Sequence, residues 1–305
     1  MATHGAFPVT ESMDLLLPAK INLFLKIVGK RSDGYHELIT RMLMISCFDK
    51  LHLKLESGVF TDQEDSISFR VRGRVIDGDP NTNLIVRAAR LVLGRYTTKR
   101  LPRISIELEK HIPVGAGLGG GSSDAAGTLL GVNRLLGSGL SFAELSDMAS
   151  SLGSDVPFFL GTPHALGWGR GEKILPLPAE RSKIVVLWNP GFSLSTSLVY
   201  RSLNVGVSEE LTEAAAVSKI EGLLRQDVYM NDLEAVAFTL HPELCSVKKS
   251  FLEFGADKSL MSGSGPTVFG VFRDRASAEQ AVKALQSKYG GWADAFETLE
   301  RSPLS

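Results

Sequence analysis

Polar and apolar residues alternate over several segments in the first half of the chain, and this period of two predicts β-strands. One segment, residues 15–28, predicts either a pair of strands or one long strand. Further strands are predicted over the shorter segments 41–46, 51–55 and 67–71. Because only short connections separate these segments, we expect antiparallel pairing throughout this part of the chain.

Apolar residues at helical spacing follow, on both sides of a cluster of glycines. Residues 84–96 carry apolar side chains at helical intervals, and Asn83 immediately before them predicts an N-cap. A half-buried strand over residues 104–108 then leads into the glycines. A second helix is predicted after them, over residues 122–136.

The remainder of the chain predicts helices and strands that alternate without a repeat. Ser141, with Glu144 three residues later, is typical of a capping box and begins the next helix. The later predicted strands are 184–188, 267–272 and 293–299, and the later predicted helices are 195–203, 209–224, 242–254 and 276–289.

Length and composition indicate a globular protein of one large or two ordinary domains. The chain has 305 residues, against about 150 residues per domain. Hydrophobic residues make up 44% and charged residues 22%, which is ordinary for a globular protein. Glycine and proline accumulate over residues 161–171, so we predict two domains, 1–166 and 167–305.

Charge and cysteine content exclude several classes of function. Lys and Arg number 33 against 34 Asp and Glu, and this balance argues against nucleic acid as a partner. Cys47 and Cys245 lie far apart and have no CxxC partner, which indicates reduced thiols in a cytoplasmic protein. We find neither a targeting segment nor an apolar run that could span a membrane, so we expect no membrane association.

The glycine cluster carries the clearest chemical signal. Residues 112–124 read IPVGAGLGGGSSD between a predicted strand and a predicted helix. Successive glycines allow backbone N–H groups to converge, and the helix start adds unpaired donors and the positive end of its dipole, which suits a phosphate. The alternative interpretation is a flexible loop that is merely rich in glycine.

Two better-known nucleotide loops fit this segment poorly. Gly115, Gly117 and Gly120 satisfy the dinucleotide pattern GxGxxG, but they follow several closely spaced strands, and Glu144 lies in a helical pattern instead of ending the next strand. A Walker loop requires Gly-Lys-Ser/Thr after the glycines, and that sequence is missing here.

Several segments together resemble the GHMP kinase superfamily. Residues 113–126 read PVGAGLGGGSSDAA, and this segment resembles the phosphate loop of that superfamily. Residues 18–25 (PAKINLFL) with 33–36 (DGYH), 152–159 (LGSDVPFF) and 262–269 (SGSGPTVF) resemble the members that act on a cytidine-diphosphate-linked methylerythritol. The segments occur in the family's order, which makes the resemblance specific.

The resemblance implies an α+β fold of two domains. An N-terminal ATP-binding domain and a C-terminal domain would enclose the active site in the cleft between them. It further implies transfer of the γ-phosphoryl group of ATP to the 2-hydroxyl of the cytidyl-linked methylerythritol, in the non-mevalonate isoprenoid pathway. ATP and Mg²⁺ are the expected cofactors, the metal's protein ligands stay unknown, and the expected assembly is a monomer or weak homodimer.

The resemblance also assigns residues to roles. Asp155 would be the general base that takes the hydroxyl proton, with Lys20 beside it to hold its carboxylate ionised. From the sequence alone, Asp155 could equally cap a helix or turn, and Lys20 could face water on its alternating strand. The expected phosphate-binding residues are Pro113, Gly115, Gly117, Leu118, Gly119, Gly120, Gly121, Ser122 and Ser123. The expected substrate-binding residues are Asn22, Tyr35, His36, Thr196, Tyr200, Gly263, Ser264 and Gly265.

Some details leave alternatives open. Register with the family favours Tyr200 over Phe192 as the second aromatic that stacks on cytosine, opposite Tyr35. Asp124 stands where relatives often carry Asn, and it adds a negative charge near the phosphate loop.

A homoserine or mevalonate type of kinase would use the same loop, but it would have no need for Tyr35 and His36. A sensor that has lost turnover is disfavoured because Lys20 and Asp155 are both present.

Overall fold

The computed structural model describes residues 12–60, 66–76, 78–95, 101–224 and 228–304. Within these ranges the strands are β1 (Ser12–Lys30), β2 (His36–Phe60), β3 (Ile67–Gly73), β4 (Leu101–Lys110), β5 (His164–Gly169), β6 (Lys173–Pro176), β7 (Ile184–Asn189), β8 (Met230–Asn231), β9 (Lys258–Met261), β10 (Val268–Phe272) and β11 (Trp292–Glu297). The helices are α1 (Leu84–Leu93), α2 (Gly120–Leu135), α3 (Phe142–Leu152), α4 (Val156–Phe159), α5 (Thr196–Arg201), α6 (Glu213–Leu224), α7 (Glu234–Leu240), α8 (Pro242–Glu253) and α9 (Arg275–Tyr289).

The larger sheet is organised around two long antiparallel strands, β1 and β2. Its order is β3-β4-β2-β1-β8, with β5 paired to β2 and β6 paired to β5. The sequence predicts a break between residues 46 and 51, but β2 continues through it. Asp49, whose charge suggests a strand end, is buried there, and its Oδ1 accepts the backbone N–H groups of His111 and Ile112.

Pairing in this sheet departs from the expected antiparallel pattern at its edge. Strands β3 and β4 pair in parallel, because helix α1 lies in the connection between them and provides the long crossover that parallel strands need. The Asn83 side chain accepts the N–H of Ile85 and caps α1 as predicted. Tyr96, the last residue of the predicted helix, lies outside the described residues.

The smaller sheet has the order β11-β7-β10-β9, and its pairs are all antiparallel within the described residues. Helices α8 and α9 pack against it around a core that includes Val186, Phe251 and Leu285. The predicted domain boundary at residues 166 and 167 falls within β5, which pairs with β2 of the larger sheet. The division of the chain into domains stays a prediction.

The glycine-rich loop lies between the two halves and is fixed by both. The N–H of Lys20 in β1 donates to the Leu118 carbonyl at 2.9 Å, and the N–H of Thr267 donates to the Ala116 carbonyl at 3.3 Å. Helix α2 starts directly after this loop and packs on β1 and β2. The loop therefore lies at the junction of a helix start, the central strand and the second sheet.

Candidate active site

A cavity of about 1060 Å³ lies along the glycine-rich loop and receives residues from both halves of the chain. Most of the predicted site residues line it: Lys20, Asn22, Tyr35, His36, Pro113, Gly115, Gly117, Leu118, Gly119, Gly120, Gly121, Ser122, Asp155, Thr196, Tyr200, Gly263 and Ser264. Two do not contribute to the described lining: Ser123, which is buried in α2, and Gly265.

A buried lysine lies beside a carboxylate in the lining of this cavity. The Nζ of Lys20 lies 3.3 Å from Oδ2 of Asp155 and donates to Oδ1 of Asn22 at 2.6 Å. Lys20 is almost fully buried, whereas the side chain of Asp155 is 34% exposed. The alternation of β1 puts Lys20 and Asn22 on one face, and Asn22 is held in turn by Thr40, since its Nδ2 donates to Thr40 Oγ1 at 2.8 Å.

The phosphate loop adopts a backbone conformation that requires glycine. Gly115, Gly117 and Gly119 have φ angles of 64°, 75° and 69°, a region that disfavours other residues. A Cβ on Gly117 would lie 2.1 Å from the carbonyl oxygen of Ser262. Gly119 is the N-cap of α2 and has no side chain to cap it, so the first N–H groups of the helix are available to an anion.

The turn over residues 262–266 closes one side of the loop. The Ser262 hydroxyl donates to the Gly117 carbonyl at 3.0 Å, and the Thr196 and Ser264 hydroxyls lie 2.8 Å apart. Asn231 fixes this turn, because its Nδ2 donates to the carbonyls of Met261 and Gly263 at 2.8 and 2.7 Å. Motif spacing gave no indication of Asn231, because its contacts with this turn span 30 and 32 residues of sequence.

Aromatic side chains gather at one end of the cavity. Tyr35 is 55% exposed, and the Arg170 guanidinium lies 4.8 Å from the centre of its ring. The His36 and Tyr200 rings are 5.3 Å apart. Burial, helped by the nearby charge of Lys30, lowers the pKa of His36, which favours the neutral imidazole. Phe192 instead stacks on His241 at 4.5 Å and is not part of the described cavity lining.

Beneath the start of α2 lies a buried ionic cluster that the sequence did not indicate. The Nζ of Lys110 donates to Asp49 Oδ2 and to Asp124 Oδ2, both at 2.5 Å. Two carboxylates therefore share one ammonium group, and burial raises the pKa of Asp124. Lys110 and Asp124 both line the cavity. Because burial favours the protonated form, Asp124 brings less negative charge to the loop than its residue type suggests.

Family comparisons define the class of protein. The model for the GHMP kinases N terminal domain matches residues 83–162, and the model for the GHMP kinases C terminal matches residues 211–291. The first match includes the glycine-rich loop and Asp155, and the second includes Gly263 and Ser264 of the closing turn. The chain is therefore an ATP-dependent small-molecule kinase with the two-domain GHMP fold, as the sequence predicted.

Relatives narrow the class further. The chain is 40% identical to 4-diphosphocytidyl-2-C-methyl-D-erythritol kinase of Syntrophomonas wolfei subsp. wolfei, over 90% of this chain and 94% of the relative. It is also 40% identical to the enzyme of that name from Moorella thermoacetica, over 91% and 97%. The chain belongs to the family of 4-diphosphocytidyl-2-C-methyl-D-erythritol kinases.

Solved structures agree with this assignment. A crystal structure of 4-(cytidine 5'-diphospho)-2C-methyl-D-erythritol kinase superposes with a TM-score of 0.74 at 37% identity, over 94% of this chain and 99% of that one. Homoserine kinase from Cytophaga hutchinsonii superposes with a TM-score of 0.70 at 18% identity, over 99% and 98% of the chains, which shows a common fold. Among the helices of the described ranges, none combines the length and apolar character that a membrane crossing needs.

Proposed function

We propose that this chain transfers the γ-phosphoryl group of ATP to the 2-hydroxyl of 4-diphosphocytidyl-2-C-methyl-D-erythritol, a step of the non-mevalonate isoprenoid pathway. The observation that carries the proposal is one continuous cavity with three parts: a phosphate loop, the Lys20 and Asp155 pair, and the aromatic group of Tyr35, His36 and Tyr200. The choice of substrate is supported by the likeness to relatives, and to a solved structure, that are named as kinases of this compound.

Asp155 acts as the general base in this mechanism. Its partly exposed carboxylate accepts the proton of the 2-hydroxyl while the hydroxyl oxygen forms a bond to the γ-phosphorus. The bond between that phosphorus and the β,γ-bridging oxygen breaks, and its electron pair leaves with ADP. Lys20 holds the carboxylate from its buried side, so the free oxygen faces the substrate.

The phosphates of ATP lie along the loop over residues 113–121 and at the start of α2. Loop N–H groups and the helix dipole stabilise the negative charge on the phosphates. The cavity lining also includes four apolar side chains, Phe69, Val71, Ile76 and Leu84, with the polar residues Asp79, Thr82 and Asn83. These apolar side chains suit the adenine ring, which offers flat apolar surface.

The residues at the end of the loop fit a magnesium ion carried by ATP. Oδ1 of Asp124 is buried without a hydrogen-bond partner among the described residues, and the Ser122 hydroxyl lines the cavity close by in the chain. Carboxylate and hydroxyl oxygens are hard ligands, and Mg²⁺ commonly takes few of them besides the phosphates. Ser122 and the ionised form of Asp124 would hold the ion, which supplies positive charge against the triphosphate. Because a carboxyl ligand must be deprotonated, the ion would compete with the proton that burial favours on Asp124.

The aromatic end of the cavity takes the cytosine. Tyr35 and Tyr200 offer ring faces for stacking, and this mode of binding needs no basic patch. Burial lowers the pKa of His36 and favours its neutral imidazole, which presents one donor and one acceptor to the edge of the base. Thr196, Ser264 and Asn22 provide polar contacts toward the methylerythritol end.

A substrate panel tests this function. Coupled ATP turnover is measured with the cytidyl substrate, homoserine and mevalonate at equal concentrations. We expect turnover with the cytidyl substrate alone. Turnover only with homoserine or mevalonate would reject the assignment, and tight binding of the cytidyl substrate without turnover would indicate a sensor.

A further inference from the structure

The turn that carries Tyr35 and His36 is tied together by Arg31. The N–H of Arg31 donates to the Tyr35 carbonyl at 2.8 Å, and its guanidinium contacts both oxygens of Asp33. Oδ1 of Asp33 accepts the N–H of Tyr35 at 3.0 Å. Each of these contacts is local, so they shape the turn without fixing its position in the protein.

One buried carboxylate joins this turn to the second half of the chain. Oε2 of Glu37 accepts from Nη1 of Arg31 at 3.0 Å, and its other oxygen, Oε1, accepts the backbone N–H of Leu211 at 3.2 Å. The Glu37 side chain is completely buried, and that of Arg31 is only 10% exposed. Glu210, next to Leu211, also pairs with Arg31 at the surface.

The segment that Glu37 reaches is packed directly on the end of β1. The N–H of Lys30 donates to the Gly206 carbonyl at 2.8 Å, and the N–H of Ser208 donates to the Lys30 carbonyl at 2.9 Å. A Cβ on Gly29 would lie 2.4 Å from the Cβ of Ser208. Residues 206–211 therefore form a fixed support against which the turn is held.

Glu37 itself cannot touch a ligand in the cavity. Successive residues of a strand point to opposite faces. His36 and Leu38 line the cavity, whereas Glu37 lies on the other face of β2. We propose that Glu37 is a positioning residue for the nucleoside of the substrate: it links the Arg31 turn to residues 206–211 and so fixes Tyr35 and His36 for the base.

The physical basis of this role is the free-energy cost of leaving Glu37 or Arg31 unpaired. A buried carboxylate is stable when its oxygens are hydrogen-bonded and its charge is paired. Gln at position 37 could still accept one hydrogen bond, but its amide carries no charge to match the guanidinium. The turn would then keep its local contacts, the pairing of β1 with β2 at its base, the backbone bonds of Lys30 and the surface pair with Glu210, but it would lose the buried charge pair. Tyr35 and His36 would sample several orientations, and the base would bind more weakly.

The inference rests on the proposed role of Tyr35 and His36, and the experiment separates the two. Glu37→Gln is compared with His36→Ala and the unmodified enzyme in two measurements: calorimetric binding of cytidine diphosphate, and KM and kcat for each substrate. We expect Glu37→Gln to weaken cytidine diphosphate binding and raise the KM for the cytidyl substrate about tenfold, which corresponds to about 1.4 kcal/mol. Both kcat and the KM for ATP should stay within about twofold of the unmodified values, because a rise in KM alone is the mark of lost substrate binding.

Glu180→Gln is the matched control. Glu180 likewise pairs with a buried arginine, Arg41, and with Lys183, yet these partners lie outside the turn that carries Tyr35 and His36. The Glu180→Gln variant should leave the KM for ATP and the KM for the cytidyl substrate unchanged. An equal rise in both KM values, or a fall in kcat alone, would assign Glu37 to general stability and overturn the proposal.

Two further outcomes are decisive. If His36→Ala weakens cytidine diphosphate binding but Glu37→Gln does not, the positioning role is wrong and the proposed function stands. If His36→Ala has no effect, the assigned base contact itself is wrong. Should Glu37→Gln fail to fold, Arg31→Lys tests the same link, because lysine cannot contact Asp33, Glu37 and Glu210 together; an unchanged KM for the cytidyl substrate in Arg31→Lys would overturn the proposal.

Discussion

The ammonium of Lys20 lies beside the carboxylate of Asp155, with 3.3 Å between Nζ and Oδ2. Lys20 comes from the central strand β1, and Asp155 directly precedes the short helix α4. The lysine is buried and also bound to Asn22, so it is held in one position. Asp155 is the more exposed partner, which leaves its carboxylate open to the cavity.

Replacing Asp155 by Asn should remove turnover and spare nucleotide binding. The amide cannot accept the hydroxyl proton, and a general base contributes about 10²–10⁴-fold to the rate. The measurement is kcat in a coupled assay, together with calorimetric binding of a non-hydrolysable ATP analogue. Asp147→Asn, an exposed change on the nearby helix α3, serves as the control and should behave as the unmodified enzyme. Near-normal kcat in Asp155→Asn would reject Asp155 as the base.

Tyr200→Ala should weaken binding of the cytidyl substrate, whereas Phe192→Ala should not. Stacking of an aromatic side chain on a base contributes about 1–3 kcal/mol, so we expect KM to rise about tenfold or more. Phe192 is the matched aromatic because it stacks on His241 and not in the described cavity. KM for the cytidyl substrate and for ATP is measured for both variants. A larger effect of Phe192→Ala would transfer the stacking role to Phe192.

Gly117→Ala should damage the phosphate loop more than an equivalent change elsewhere. Both Gly117, with φ of 75°, and Gly137, with φ of 56°, have left-handed backbones, which cost alanine about 1–2 kcal/mol. A Cβ at Gly117 would also collide with the Ser262 carbonyl, while Gly137 has open space around it. We expect both variants to lose stability to urea and only Gly117→Ala to raise the KM for ATP. An equal KM for ATP in Gly117→Ala and Gly137→Ala would mean that the loop tolerates displacement of the closing turn.

Asp124 makes stability depend on pH in an unusual direction. Burial raises the pKa of Asp124 from 3.8 to about 8, so the folded state keeps a proton that the unfolded chain releases. The contribution of Asp124 to the free energy of unfolding should therefore fall as pH rises through this interval, and Asp124→Asn should make the slope of the free energy of unfolding against pH more positive. Urea unfolding between pH 5 and 8 measures the effect.

Asp274→Asn is the control for the pH measurement. Hydrogen bonds from Ser277 lower the pKa of Asp274, so its contribution is present above the ordinary pKa of an aspartate and is lost only in acid. That variant should therefore keep the slope of the unmodified protein between pH 5 and 8. An unchanged slope in Asp124→Asn would show that Asp124 is ionised in the folded state.

Local chemistry explains which elements the sequence could predict. The Ser141 and Glu144 capping box and the Asn83 N-cap form at the predicted positions, because a cap depends on residues within one turn of helix. The break predicted within β2 was wrong, because burial of Asp49 depends on Lys110 and on the backbone after it. The parallel pairing of β3 with β4 likewise depends on where a helix packs.

The motifs determined the family of this protein, the position of its phosphate loop and the residue types that its chemistry requires. The family resemblance also implied Lys20 beside Asp155, and the structure places their charged groups 3.3 Å apart. Only the tertiary structure brought Asn231 to the closing turn and Glu37 to the backbone of Leu211. A glycine-rich loop before a helix carries its function in consecutive residues, so the sequence displays it. Pairs made across strands and between sheets depend on register and packing, and these are decided when the whole chain buries its apolar surface.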